Sequence, residues 1–252
     1  MRKTQKKVGT RKLFYLLQSF LSEHSISMGR DALFKLLSEH NLLIKKRKRK
    51  IPVTTFSDHW MRKYPNLIRA IVPVAAHKIL VSDITYIVLE EDRFAYLSLI
   101  TDAYSRKVVG YCLGKNLSAA SCIKALKMAI TQLPANAHAI HHSDRGSQYC
   151  CHEYVSMLEA NGVGISMTQS GDPLENAIAE RVNGILKQEL LEEKYHSFKE
   201  ASEAMDMAIS VYNNQRLHSS IDMLTPACAH LKTGKLKRHW KNYYSKKEVI
   251  MN

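Results

Sequence analysis

"KILVSDITYIVLE", residues 78–90, is dense in β-branched side chains and reads as a strand, yet it holds an aspartate, Asp83, flanked by Val81 and Ile84. A carboxylate inside a strand is costly unless it is paired, hydrogen-bonded or bound to a metal. The stretches downstream continue the β pattern. "RFAYLSLITDAY" (93–104) and "KVVGYCLG" (107–114) predict two more strands, and the tight turns between the three predict an antiparallel meander. "SAASCIKALKMAITQL" (118–133) predicts a helix with Ser118 at its N-cap and Pro134 closing it. "AHAIHHSD" (137–144) predicts a fourth strand, nearly all apolar until its end, where Asp144 projects into the loop of "AIHHSDRGSQY" (139–149). A helix over about 150–161, a short strand "VGISMT" (163–168) and a long helix from near Pro173 follow. The order βββ-α-β-α-β-α predicts an α/β fold, a mixed sheet with helices on its faces.

Charge divides the chain differently. The formal net charge is +14, but residues 1–50 carry +11, residues 51–231 carry −3 and residues 232–252 carry +6. Basic ends around a near-neutral body suit a polyphosphate partner, because each phosphate neutralised releases condensed counterions. A solvated, solubilising patch is the plainer alternative. "RKLFYLLQSFLSE" (11–23) and "RDALFKLLSEHN" (30–41) have helical apolar spacing around a break, as a helix-turn-helix does and as any helical hairpin does. The run Lys45, Lys46, Arg47, Lys48, Arg49, Lys50 follows, to grip DNA phosphates or to serve as a basic linker. These readings divide the chain into a basic helical module (1–50), a proline-marked linker (51–76), a core (77–231) and a basic tail (232–252). No apolar run is long enough for a membrane span, and the basic N-terminus leads into no apolar signal segment. Five cysteines without a C-x-x-C pair predict buried free thiols in a reducing cytoplasm.

A third acid joins Asp83 and Asp144. In "PLENAIAERVNGILKQEL" (173–190), at about 100° per residue, Asn176, Asn183 and Lys187 fall within about 60° of Glu180. Ile178, Val182 and Ile185 lie on the opposite side, so an apolar face packs on the sheet and a polar stripe is left outward. That stripe is either an ordinary surface face or a DNA-backbone contact beside a metal ligand. Three carboxylates without clustered Cys or His predict a hard, oxygen-ligated cation, Mg²⁺ or Mn²⁺. Two such ions suit in-line phosphoryl displacement, with Asp83 bridging both and Asp144 and Glu180 completing one each.

The 35 residues between Asp144 and Glu180, with Lys187 seven positions beyond, resemble the D,D-35-E signature of integrases and insertion-sequence transposases. "SDITYI" (82–87), "YLSLITDAYSRKVVGY" (96–111), "HHSDRGSQY" (141–149), "NAIAERVNGILKQEL" (176–190) and "YNNQRLHSSIDMLTP" (212–226) resemble the orfB-type transposase of the IS-three family. "GRDALFKLLSEHNLL" (29–43) looks like that family's N-terminal helix-turn-helix portion. The resemblance implies a ribonuclease-H-like core, nicking at element ends and attack of a 3′-hydroxyl on a second phosphodiester. It implies Asp83, Asp144 and Glu180 as the metal-binding catalytic triad and Lys187 as a DNA-end contact; Arg181, Asn176 and Asn183 are further DNA-contact candidates on that helix. Implied partners are DNA, an upstream orfA-type product or frameshift fusion, and further copies of the chain, in the cytoplasm at the nucleoid. Two positions depart from the family pattern: Leu80 where a tryptophan is usual, and Glu175 where many members have aspartate. A non-catalytic DNA-binding regulator and a structure-selective nuclease on the same fold are the competing readings.

Overall fold

Three short helices open the chain: α1 (Thr10–Leu16), α2 (Gln18–Glu23) and α3 (Arg30–Glu39). The computed structural model describes residues 4–5, 7–44, 59–69, 71–135, 137–169, 173–239 and 249–251, so the basic run Lys45 to Lys50 lies outside the described residues. The helix expected over 11–23 is interrupted at Leu17, where α1 ends. Val8 and Leu13 pack against Leu33 and Leu37 of α3, a small core of their own.

After β1 (Ile71–Pro73) comes the expected meander: β2 (Ile79–Val88), β3 (Phe94–Asp102) and β4 (Val108–Gly114), paired antiparallel. Helix α4 (Ala119–Ile130) leads to β5 (Ile140–Ser143), and α5 (Ser147–Cys150) with α6 (His152–Ala160) leads to β6 (Gly164–Met167). The sheet order is β4-β3-β2-β5-β6, with β5 parallel to both β2 and β6. It is the mixed sheet that the element order predicts. Ser118 holds the N-cap position of α4 with extended backbone, but its side chain caps nothing.

Alternation along the strands builds two cores. Leu97, Leu99 and Val108 face α7 (Ala177–Ile185) and α8 (Phe198–Asn214), where Val182, Ile185, Met205 and Tyr212 meet them. Leu80, Ile100 and Val109 face the other way, onto Leu126 of α4 and Tyr154 and Leu158 of α6. Gly110 of β4 lets α4 approach closely: a Cβ there would stand 2.1 Å from the Ala125 carbonyl oxygen. Helix α8 is capped by Ser197, whose Oγ accepts the Glu200 N–H at 3.1 Å, while the Glu200 carboxylate accepts the N–H of the preceding His196 at 2.8 Å.

Two segments expected as linker and tail are packed where they are described. In 59–69, Met61 and Tyr64 join the core around α4 and α6, and the Pro65 carbonyl accepts the Met167 N–H. Strand β1 pairs parallel with β7 (Val249–Met251). In the basic C-terminal segment, the Gly234 carbonyl accepts from the Tyr104 hydroxyl and the Gly234 N–H donates to Val74. In 59–69 apolar side chains make the contact, and in the C-terminal segment backbone hydrogen bonds do. All five cysteines are free thiols, but only Cys122 and Cys150 are buried; Cys112 and Cys151 are half-buried and Cys228 is exposed.

The "YNNQRLHSSIDMLTP" stretch ends α8 at an ion network. Arg216, 2% exposed, binds Glu189 through both carboxylate oxygens at 2.7 and 2.8 Å and His218 Nε2 at 2.8 Å. Lys12 of α1 stands 3.8 Å from the same carboxylate, and Gln5 donates to the Gln215 carbonyl. Burial pushes Glu189 up, but Arg216 and Lys12 outweigh it and hold it below its ordinary value. Replacing Arg216 with Met leaves Glu189 and His218 without their shared partner, and a loss of about 3–5 kcal/mol is expected in urea unfolding. Gly110→Ala is expected to cost about 1–3 kcal/mol in the same measurement, because backbone must move.

Candidate active site

Strand register carries the two aspartates together. Val81 of β2 pairs with His142 of β5, and one further two-residue period sets Asp144 opposite Asp83. Both fall on the sheet face that α7 covers, because Ile79 and Val81 on that face pack against Ala179. Strand β5 ends at Ser143, so Asp144 stands where the chain leaves the sheet. Its Oδ1 accepts the Gly146 N–H at 2.9 Å, which fixes the turn.

Asp83 Oδ1 accepts the Ile84 N–H at 2.9 Å, and Oδ2 accepts from Asn183 Nδ2 at 2.8 Å. Burial pushes the Asp83 carboxyl up to about 7, the Asp144 charge adds to the rise, Asn183 and Ile84 oppose it, and Glu180 adds a smaller push. Glu180 is itself exposed on α7. The structure therefore brings Asp83 and Asp144 together and puts Glu180 within electrostatic reach. Among the described residues no three His, Cys, Asp or Glu side chains are gathered tightly enough to hold a metal ion. The donor chemistry still fits a hard divalent cation: oxygen ligands only, with burial first and the Asp144 charge second raising the proton affinity of Asp83.

The polar stripe expected on α7 is divided. Asn176 and Asn183 are 7% and 5% exposed, so their reading as DNA contacts is corrected. Asn176 Nδ2 donates to the Ser82 carbonyl at 2.8 Å, as Asn183 does to Asp83; both hold the helix to β2. The wheel placed them correctly beside Glu180, but that side of the helix meets the strand bearing Asp83. The helix is also not regular: 173–176 is a 3-10 turn and 186–190 a π turn. Lys187 lies in the π turn, its Nζ 3.6 Å from the Tyr86 ring centroid and 3.3 Å from Thr85 Oγ1. Burial lowers its ammonium to about 8, and Asp83 works against that. Arg181 is exposed.

Two histidines that sequence reading passed over brace the site. Leu67 N–H donates to Ser166 Oγ at 2.9 Å, and Ser166 Oγ lies 2.8 Å from His142 Nδ1. His142 Nε2 lies 3.1 Å from the Glu175 carbonyl, an acceptor, so Nε2 carries the proton and Nδ1 accepts from Ser166. This relay ties β5 to the start of the Glu180 helix through the Glu175 backbone, which an aspartate offers equally. His141 Nε2 meets Ser82 Oγ at 2.6 Å and the Tyr154 hydroxyl at 2.9 Å on the opposite face. Paired histidines in an otherwise apolar strand were the available signal. Leu80, the other departure, is 1% exposed in the core on the α4 side.

Integrase core domain models match residues 73–173 and 161–226. A 31 kDa protein of insertion element IS600 from Shigella sonnei is 37% identical over 230 residues, 89% of this chain and 82% of that protein. The IS904 transposase of Lactococcus lactis is 32% identical, covering 64% of this chain and 65% of its own length. A chain in the simian T-cell lymphotropic virus intasome, solved with the PP2A regulatory subunit B56 gamma, superposes with TM-score 0.52 over 95% of this chain and 81% of its own, at 17% identity; that likeness concerns the fold alone. Fold and matches define a polynucleotidyl transferase with a ribonuclease-H-like integrase core. The chain belongs to the insertion-sequence transposases. DNA transposition is the process it serves, and no helix among the described residues is long and apolar enough to cross a membrane.

The bracing has a pH signature. Burial lowers the His141 ring from 6.5 to about 3, with His142 adding to the drop. A base whose folded value lies below its unfolded one contributes stability that is complete above 6.5 and lost as pH falls from there toward 3. Urea midpoints between pH 7.5 and 5 are expected to show the native chain losing about 1.4 kcal/mol per pH unit more than His141→Gln below pH 6.5.

Proposed function

We propose that the chain nicks DNA at insertion-sequence ends and joins the freed 3′-hydroxyl to a target, with Asp83, Asp144 and Glu180 as the catalytic triad. One observation carries this: the parallel β2–β5 register sets two carboxylates on one sheet face, with Glu180 on the helix that covers it. Burial, then the Asp144 charge and more weakly the Glu180 charge, push the Asp83 carboxyl up to about 7, and Asp83 would be the ligand shared by two cations. Two divalent ions, Mg²⁺ or Mn²⁺, would supply activation of the attacking oxygen and stabilisation of the leaving one. Asn183 holds the Asp83 carboxylate in orientation, and Asn176 holds α7 to the strand. The His142 relay keeps the approach to α7 fixed on β5. Drawing Glu180 in towards Asp83 and Asp144 completes the ligand set.

Lys187 and Arg181 flank the acids as contacts for the DNA end, and Lys45 to Lys50 grip the backbone further out. Partners are DNA, an orfA-type upstream product and further copies of the chain, since joining two ends takes at least two active sites; the setting is the cytoplasm, at the nucleoid.

A joining assay on short end duplexes, with the upstream product supplied, tests this. Asp83→Asn, Asp144→Asn and Glu180→Gln are each expected to lower joining by at least 10³-fold, with DNA affinity within about threefold of native. Mg²⁺ or Mn²⁺ is expected to support joining and Ca²⁺ to fail, because its looser coordination does not hold in-line geometry. Near-normal joining by Glu180→Gln would remove that residue from the mechanism.

A further inference from the structure

Trp60 is 93% exposed, the most exposed large hydrophobic side chain among the described residues. Its neighbours on both sides are anchored. His59 Nε2 lies 2.8 Å from the carbonyl of Arg145, the residue that follows Asp144. Met61 and Tyr64 pack into the core that holds Tyr149, Cys150 and Met167. The Arg62 guanidinium lies 4.9 Å from the Tyr64 ring centroid, and Arg62 and Lys63 are both exposed. Residues 59–69 carry three cations, Arg62, Lys63 and Arg69, and no acid.

An indole is a large apolar surface, and a protein leaves one in water on a fixed support at a cost. Here the support is the loop that leaves the sheet at Asp144. His59 is one peptide from Trp60, about 3.8 Å between Cα atoms, so the chain that carries the indole runs beside that loop. A flat aromatic flanked by cations matches a nucleotide: the ring takes the base and the cations take its phosphates. In a paired duplex the base faces are covered by their neighbours, so the ring finds a face only where the strand is frayed or opened.

Resting on the reading of Asp83, Asp144 and Glu180 as the cutting site, we infer that Trp60 is a stacking platform for an unpaired base of the DNA strand presented to those acids. The partner is the opened end of a DNA duplex. Cations and indole together give the site a preference for forked over fully paired DNA, and the indole supplies the discrimination.

Binding of the full-length chain, in Ca²⁺ to suppress chemistry, reads this without catalysis. The probes are a fully paired duplex and a duplex of the same sequence with a three-nucleotide unpaired arm that carries 2-aminopurine. The native chain is expected to quench the 2-aminopurine and to bind the forked probe more tightly. Trp60→Ala is expected to abolish the quenching and weaken forked binding by about 5–150-fold, the range for loss of one base stack, with paired binding unchanged. Trp60→Phe is expected to keep most of both. Because Trp60 is exposed, the alanine variant keeps the core contacts of Met61 and Tyr64, which circular dichroism checks. Equal affinity of native chain and Trp60→Ala for the forked probe overturns the proposal. So does a concentration-dependent self-association, without DNA, that Trp60→Ala removes, since the indole is then covered by a second copy. If Asp83→Asn still joins DNA while the forked preference depends on Trp60, the catalytic reading fails and the stacking platform stands.

Discussion

The parallel pairing of β2 with β5 is the contact on which the rest of the molecule depends. It joins the antiparallel meander to the β5–β6 half of the sheet, and its register decides that Asp83 and Asp144 share one face. Two like charges in a half-buried setting repel, and burial adds to the cost. The surroundings are built to tolerate this: Asn183 and the Ile84 N–H hold Asp83, and the Gly146 N–H holds Asp144. A slip of one residue in that pairing would turn one acid to the α4 side and end the arrangement.

Around that pair the structure uses neutral hydrogen bonds where a charge would be dangerous. His142 is kept neutral by burial, and its two nitrogens link Ser166 to the Glu175 carbonyl. On the other face His141, also kept neutral by burial, meets both Ser82 and the Tyr154 hydroxyl at its Nε2. The charged partners sit further out, where Glu189 binds Arg216 and stands near Lys12. That network joins the end of the Glu180 helix, the end of α8 and the first helix of the basic module, so the N-terminal module has a polar attachment to the catalytic core. Strand β2 bears Asp83 and α7 bears Glu180, and the π turn at 186–190 lets Lys187 fold back over Tyr86 instead of continuing along a straight helix.

Much of this was legible in one dimension. The three strands of the meander, the α4 helix and the short parallel strands announce themselves by β-branched runs and apolar periodicity, which depend on local side-chain shape. The linker 51–76 and the tail 232–252 were not legible, because prolines and lysines in a sequence do not reveal that Met61, Tyr64 or Gly234 find partners far along the chain. Helix α8 had its signal in Ser197 and Glu200. The two asparagines were placed on the correct stripe and assigned to the wrong neighbour.

The amino-acid order by itself determined the α/β class, the element order and the uneven charge, since these follow from residue type and spacing, and it singled out Asp83, Asp144 and Glu180 as the candidate acids. Tertiary structure alone decided which face each polar group meets. Asn176 and Asn183 serve the strand, Trp60 is held outward beside the Asp144 loop, and Arg216 is enclosed at an ion network. The physical reason is that a helix has a periodicity but no knowledge of its partner: the direction of a stripe is in the sequence, and what lies across from it exists only once the sheet has formed.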